Sequence, residues 1–302
     1  MQGIEGVLSY GAGATFSKTR IMTPSTSVSA YDEISINTLG LPFVALILLV
    51  VLPLSVAAGF ASGRHRRQRL LAAGGAVDVV VGEMAMNAFL ALLGLLLAFT
   101  FGNSLAVSLS IKAATTDEAS ALGTAFLRAD YLAEPGRTEL QRALLEYGRT
   151  RVVPKHAPID SEEKLNAFLE TTLTAQARLW PLTLEATRDP TPPPIQTFVA
   201  GAMNAVLDAH LYRVSSFSVP VSAFTQAMVL AAAATALFLV GNRAGMLGQS
   251  LTWRAYAFAF FLSAIMYTII DLRRGNAGFI LADDSTLRAT ILDMEQALAD
   301  RQ

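Results

Sequence analysis

The run Leu41 to Phe60, LPFVALILLVVLPLSVAAGF, carries no charge and constrains this chain more than any motif in it. As a helix it is about 30 Å long, the thickness of bilayer hydrocarbon, where backbone groups must bond one another because no water is there to do so. Pro53 inside it predicts a kink. Three further stretches qualify: Met84 to about Gly102, Val221 to Gly241 (VSAFTQAMVLAAAATALFLVG), and Ala255 to Ile270 (AYAFAFFLSAIMYTII), the shortest. Of the 302 residues 53% are hydrophobic and 16% charged, with a mean hydropathy of +0.44, values that suit a membrane protein better than a soluble one.

Arginines orient the spans. GRHRRQR places Arg64, Arg66, Arg67 and Arg69 between the first two spans, and Arg243 and Arg254 lie between the last two. Short loops rich in Arg stay cytoplasmic, so both termini and the long segment from Asn103 are expected on the opposite face. That segment is nearly balanced in charge and does not bear on the orientation. The first 40 residues, rich in Gly, Ser and Thr, read as a flexible extension in which Met22 is an alternative start. No basic start followed by an apolar core marks them as a cleaved signal. The absence of cysteine excludes disulfides, thiolate catalysis and Cys-based metal sites.

Beyond the second span, NSLAVSLSIKAATT (103 to 116) alternates like a strand at Leu105, Val107, Leu109 and Ile111, yet it leaves the span with no proline to stop the helix, and helix is favoured. From Glu118, residues Ala119, Leu122, Phe126, Ala129 and Ala133 form one apolar stripe, ended by EPG at 134 to 136. A second helix with Leu140, Leu144 and Tyr147 on one face completes a helical hairpin. A third starts at the N-cap Ser161 and buries Leu165, Phe168, Leu169, Thr172 and Leu179. After DPTPPP comes a fourth, IQTFVAGAMNAVLDAHLYRV, and a last helix carries Leu287, Ile291, Met294 and Leu298. The stripe after Glu118 is expected to be covered by residues 161–180 and 195–214.

The expected fold is therefore all-α: a four-span transmembrane helical protein with a helical extramembrane domain between spans 2 and 3. Its parts are a flexible extension (1–40), a transmembrane hairpin (41–102), the helical extramembrane domain (103–217), a second transmembrane hairpin (218–271), and an amphipathic C-terminal helix segment (272–302).

In order, GLLLAFTFG, EASALGTAFLRADYL, ELQRALLEYGRTRV, MNAVLDAHLYRV and IIDLRRGNAGFI resemble the blocks of bacterial bestrophin-like membrane proteins, a domain family largely of unknown function, over roughly residues 41 to 300. The resemblance implies four spans in the bacterial inner membrane, a homo-oligomer, and a distant likeness to anion channels, with an inorganic ion as a partner beside the lipid bilayer. Where such proteins tend to carry charges just after the second span, this chain has Lys112 alone before Asp117. No residue here matches the calcium site or aromatic pore neck of true bestrophins.

Enzymatic signatures are missing. His65, His156 and His210 lie in separate segments outside any metal-binding spacing, no G-x-S-x-G elbow occurs, and Gly241, Gly245 and Gly248 lack the Lys-Ser/Thr of a phosphate loop. Those glycines read as close helix packing. No enzymatic activity, cofactor, metal or nucleic-acid partner is expected. Polar groups near the bilayer carry more information, because an unpaired charge there is costly. Glu83 and Asn87, one turn apart at the start of the second span, either line an ion path or, for Glu83, pair with the Arg64 to Arg69 cluster. Glu118 and Asp130 border the apolar stripe and either bond neighbouring helices, through Asn204, Asp208 or Arg213, or hold a ligand. Arg128 projects away from the stripe, the side chain most free to meet a partner.

Overall fold

The computed structural model describes residues 40–77, 80–153, 161–188, 190–217, 223–273 and 283–301, and its regular structure there is all helical. Eight α-helices follow in order: α1 (Leu41–Ala72), α2 (Val80–Arg128), α3 (Gly136–Thr150), α4 (Glu162–Ala186), α5 (Pro193–Phe217), α6 (Ala223–Leu247), α7 (Trp253–Leu272) and α8 (Ser285–Ala299), with a 3-10 turn at Ala129–Tyr131 closing α2. Four of them, α1, α2, α6 and α7, are long and apolar enough to cross a membrane. The extension 1–39, Asp78, His156 and residues 274–282, with Gly275 and Gly278, lie outside the described residues.

α1 opens with Pro42 in its first turn, where a missing N–H costs nothing, and continues unbroken through Pro53. It meets α6 backbone to backbone. A Cβ on Gly59 would sit 2.0 Å from the Phe238 carbonyl oxygen, and one on Gly241 2.1 Å from that of Val56. Gly63 and Gly245 repeat the contact one turn on, so each helix contributes a Gly-x-x-x-Gly ridge, and shape rather than hydrophobicity locks the pair. Gly248, expected in the same stripe, serves otherwise: at φ +71° it ends α6, and its left-handed conformation lets Gln249 N–H reach the Ala244 carbonyl. Around this seam Leu48, Leu52, Val56, Leu93, Leu237, Leu262 and Met266 form one core.

A second core lies at the far end of α2. Leu122, Phe126, Leu140, Leu144, Tyr147, Leu179, Met203, Val206, Leu287 and Ile291 fill it, drawn from α2, α3, α4, α5 and α8. α2 joins the two cores as one helix of 49 residues, about 73 Å long. Its middle, 103 to 116, is helical, and the strand-like alternation carries no packing meaning: Leu105 and Leu109 are exposed while Ser104 and Ile111 are buried. The covering of the α2 stripe differs in part from expectation. α5 packs along it, but α8 rather than α4 closes the other side. The small residues Gly123 and Gly148 let Thr290 and Ile291 of α8 approach α2 and α3, whereas α4 lies on α3 and α5.

Candidate functional site

Three helices converge on one carboxylate. Glu118 faces inward from α2, fully buried; Tyr147 and Arg151 come from the end of α3, one turn apart, and His210 and Arg213 from α5. Arg151 Nε donates to Glu118 Oε1 at 2.6 Å, Tyr147 OH donates to the same oxygen at 2.8 Å, and Arg213 Nη1 donates to Oε2 at 2.6 Å. Because the phenol proton goes to Glu118, the 3.3 Å contact between Tyr147 OH and His210 Nδ1 assigns the imidazole proton to Nδ1. Arg151 also lies over the Phe168 ring, 5.6 Å from its centroid.

Charge organises the group. Burial alone would raise the Glu118 carboxyl, but Arg151 and Arg213 outweigh it and hold the pKa down at about 2. Burial, reinforced by Arg151, pushes His210 down to about 3, so the imidazole is neutral at ordinary pH. Burial and the Glu118 carboxylate push the Tyr147 phenol well up. Both carboxylate oxygens are engaged and shut away from solvent, so the arrangement ties α2, α3 and α5 into one body and leaves no open basic oxygen for chemistry. Asp130 makes a looser tie nearer the surface. Gln141 Nε2 donates to it at 2.9 Å and Arg301 Nη2 at 3.1 Å, connecting α2, α3 and the C-terminal end.

Of the expected partners of Glu118, Arg213 is the one in place. Asn204 and Asp208 face solvent on α5, because the stripe of α5 that meets α2 runs through Met203, Val206 and His210 instead. Arg128 is not the free cation expected: its guanidinium stacks 4.1 Å from the Phe198 ring centroid, and Nη1 donates to the Phe198 carbonyl at 3.1 Å. The approach of α5 to the end of α2 brings that ring within reach. Tyr147, Arg151 and His210 were not anticipated in the cluster. The available signal was a polar residue one turn from another, Tyr147 with Arg151 and His210 with Arg213, on faces otherwise apolar.

At the opposite end of α2, Glu83 accepts from Arg243 Nη2 at 2.9 Å, not from the Arg64 to Arg69 cluster. The parallel seam between α1 and α6 turns Arg67 over Gly248 and leaves Arg243 beside α2. Asn87 is exposed one turn along, at the head of a face containing Ala91, Gly94, Ala98, Leu105 and Leu109, all exposed. In the most apolar window of α2 only 11% of residues are buried, against 39% for α7. No protein-family model, curated protein or solved structure matches this chain.

Proposed function

We propose that this chain is a multi-pass integral membrane protein of the bestrophin-like type, set in a bacterial inner membrane, that associates with copies of itself through α2 and forms an ion passage along that helix. The observation that carries the reading is the uncovered face of α2. From Asn87 through Ala91, Gly94, Ala98 and Leu105 to Leu109, residues three, four or seven apart form one exposed stripe, and a Cβ on Gly94 would meet nothing within 4 Å. Small residues at that spacing suit helix-to-helix contact inside a membrane. The apolar face from Gly82 to Ile111 is also about 45 Å long, against roughly 30 Å of hydrocarbon, so lipid alone leaves the Leu105 to Leu109 end in water. A second copy would cover it.

Asn87 and the Glu83–Arg243 pair then lie at the mouth of the passage. A flux assay on the purified protein in liposomes tests the reading: small-ion leakage altered by Glu83→Gln or Asn87→Ala supports it, and vesicles that stay tight to all small ions across voltage and pH overturn it. A second reading, a non-conducting scaffold or sensor whose extramembrane domain binds a partner, draws on the rigid continuity of α2 from span to domain and on the Glu118 clasp at its far end. Tight vesicles holding a stable oligomer are its expected result.

A further inference from the structure

α1 outruns the bilayer. Its 32 residues extend about 48 Å, and the final twelve, Ala61 to Ala72, project about 18 Å beyond Phe60. The headgroup layer is about 6 Å deep on each side, so the Arg64 backbone stands at its outer edge and those of Arg66 and Arg69 about 3 Å and 7 Å beyond it; helical side chains lean toward the N-terminus, which here carries the guanidinium groups back to headgroup depth. Arg64, His65, Arg66 and Arg69 are exposed, and Arg66 and Arg69 lie three apart, neighbours on the helix surface. Arg67 is engaged differently, its guanidinium held over Gly248 at the negative end of the α6 dipole. The first turn of α7 brings Arg254 and Trp253 to the same end, Trp253 being 75% exposed as an interfacial aromatic would be.

The balance there is one-sided. Arg64, Arg66, Arg67, Arg69, Arg243 and Arg254 face a single carboxylate among the described residues, Glu83, and that one is already taken by Arg243. We infer that the exposed arginines of the α1 extension, with Arg254, bind the headgroups of anionic phospholipids in the leaflet at this end. Guanidinium forks pair with phosphate oxygens, and several on one short rim at headgroup depth distinguish a negative lipid surface from a zwitterionic one. The inference rests on the proposed membrane placement of α1 and adds the lipid class that the rim selects.

The test uses the full chain reconstituted in vesicles of phosphatidylcholine alone or mixed with phosphatidylglycerol, with retained lipid counted by native mass spectrometry. The expected result is preferential retention of phosphatidylglycerol that weakens with salt. It should fall roughly 25-fold in Arg66→Gln/Arg69→Gln, at about fivefold per arginine, and persist in Arg66→Lys/Arg69→Lys, which keeps the charges. Equal retention of the two lipids, a preference unchanged in the Gln variant, or displacement by millimolar inorganic phosphate would overturn it. Protein that washes out of both vesicle types at alkaline pH would instead sink the membrane placement itself.

Discussion

Glu118 shows how much one residue can hold. It receives three charged or polar donors from two other helices with no access to water, and the two guanidinium groups around it depend on its charge. Glu118→Gln leaves Arg151 and Arg213 buried side by side. The expected loss is about 3–5 kcal/mol, read as lowered denaturation midpoint and faster amide exchange in α3 and α5. Tyr147→Phe removes one donor and is expected to cost about 1 kcal/mol. pH gives a separate handle. Glu118 is held at about 2 against an ordinary 4.5, so its contribution is complete above pH 4.5 and disappears as pH falls toward 2. His210 is held at about 3 against 6.5; the unfolded chain takes up that proton first, so stability is lost as pH falls below 6.5 toward 3. Between pH 7 and 5 the expected decline is about 2 kcal/mol, and His210→Gln should flatten that part of the curve. An unchanged slope in the variant would remove His210 from the account. The pairing of Glu118 with Arg213 was readable because both sit on helices expected to touch. Arg151 was not, since it reaches Glu118 across 33 positions of chain and a turn whose angle no local pattern specifies.

Among the elements, glycine has two opposite meanings that sequence spacing cannot separate. Gly59 and Gly241 are sites of contact: a methyl group there meets backbone at about 2 Å, and backbone cannot rotate away. Gly59→Ala is expected to force α1 and α6 apart and cost roughly 1–3 kcal/mol, lowering the melting temperature in detergent. Gly94→Ala meets nothing inside the chain, so the fold should be as stable or up to about 1 kcal/mol more so from helix propensity, while self-association weakens. Sedimentation of the two variants separates fold from assembly. Helix positions were otherwise well indicated. Ser161 accepts from Lys164 N–H at 3.3 Å as an N-cap should, and Leu287, Ile291 and Met294 are the buried side of α8. Which helix covers which was less legible: α4 and α8 both have apolar faces of suitable length, and the choice falls to the small residues Gly123 and Gly148 beneath α8.

On the scale of the whole molecule, α2 ties two cores together, so the placement of the extramembrane domain follows the orientation of one helix. Because the chain has no cysteine, single introduced thiols report that orientation cleanly. In intact cells a membrane-impermeant maleimide is expected to label Ser161→Cys and to spare Ser62→Cys, both exposed positions. The reverse pattern would turn the protein over. The sequence by itself determined the four long apolar helices, the helical character of the rest and the basic end of the bundle. Hydrogen-bond closure in hydrocarbon, helical periodicity and charge are local properties of a chain. Only the tertiary structure decided that Gly59, Gly63, Gly241 and Gly245 interlock, that α8 closes the second core, and that Glu118, Arg151, Tyr147, His210 and Arg213 meet. Those depend on helix crossings set by the shape of side chains far apart in the chain, which no periodicity encodes.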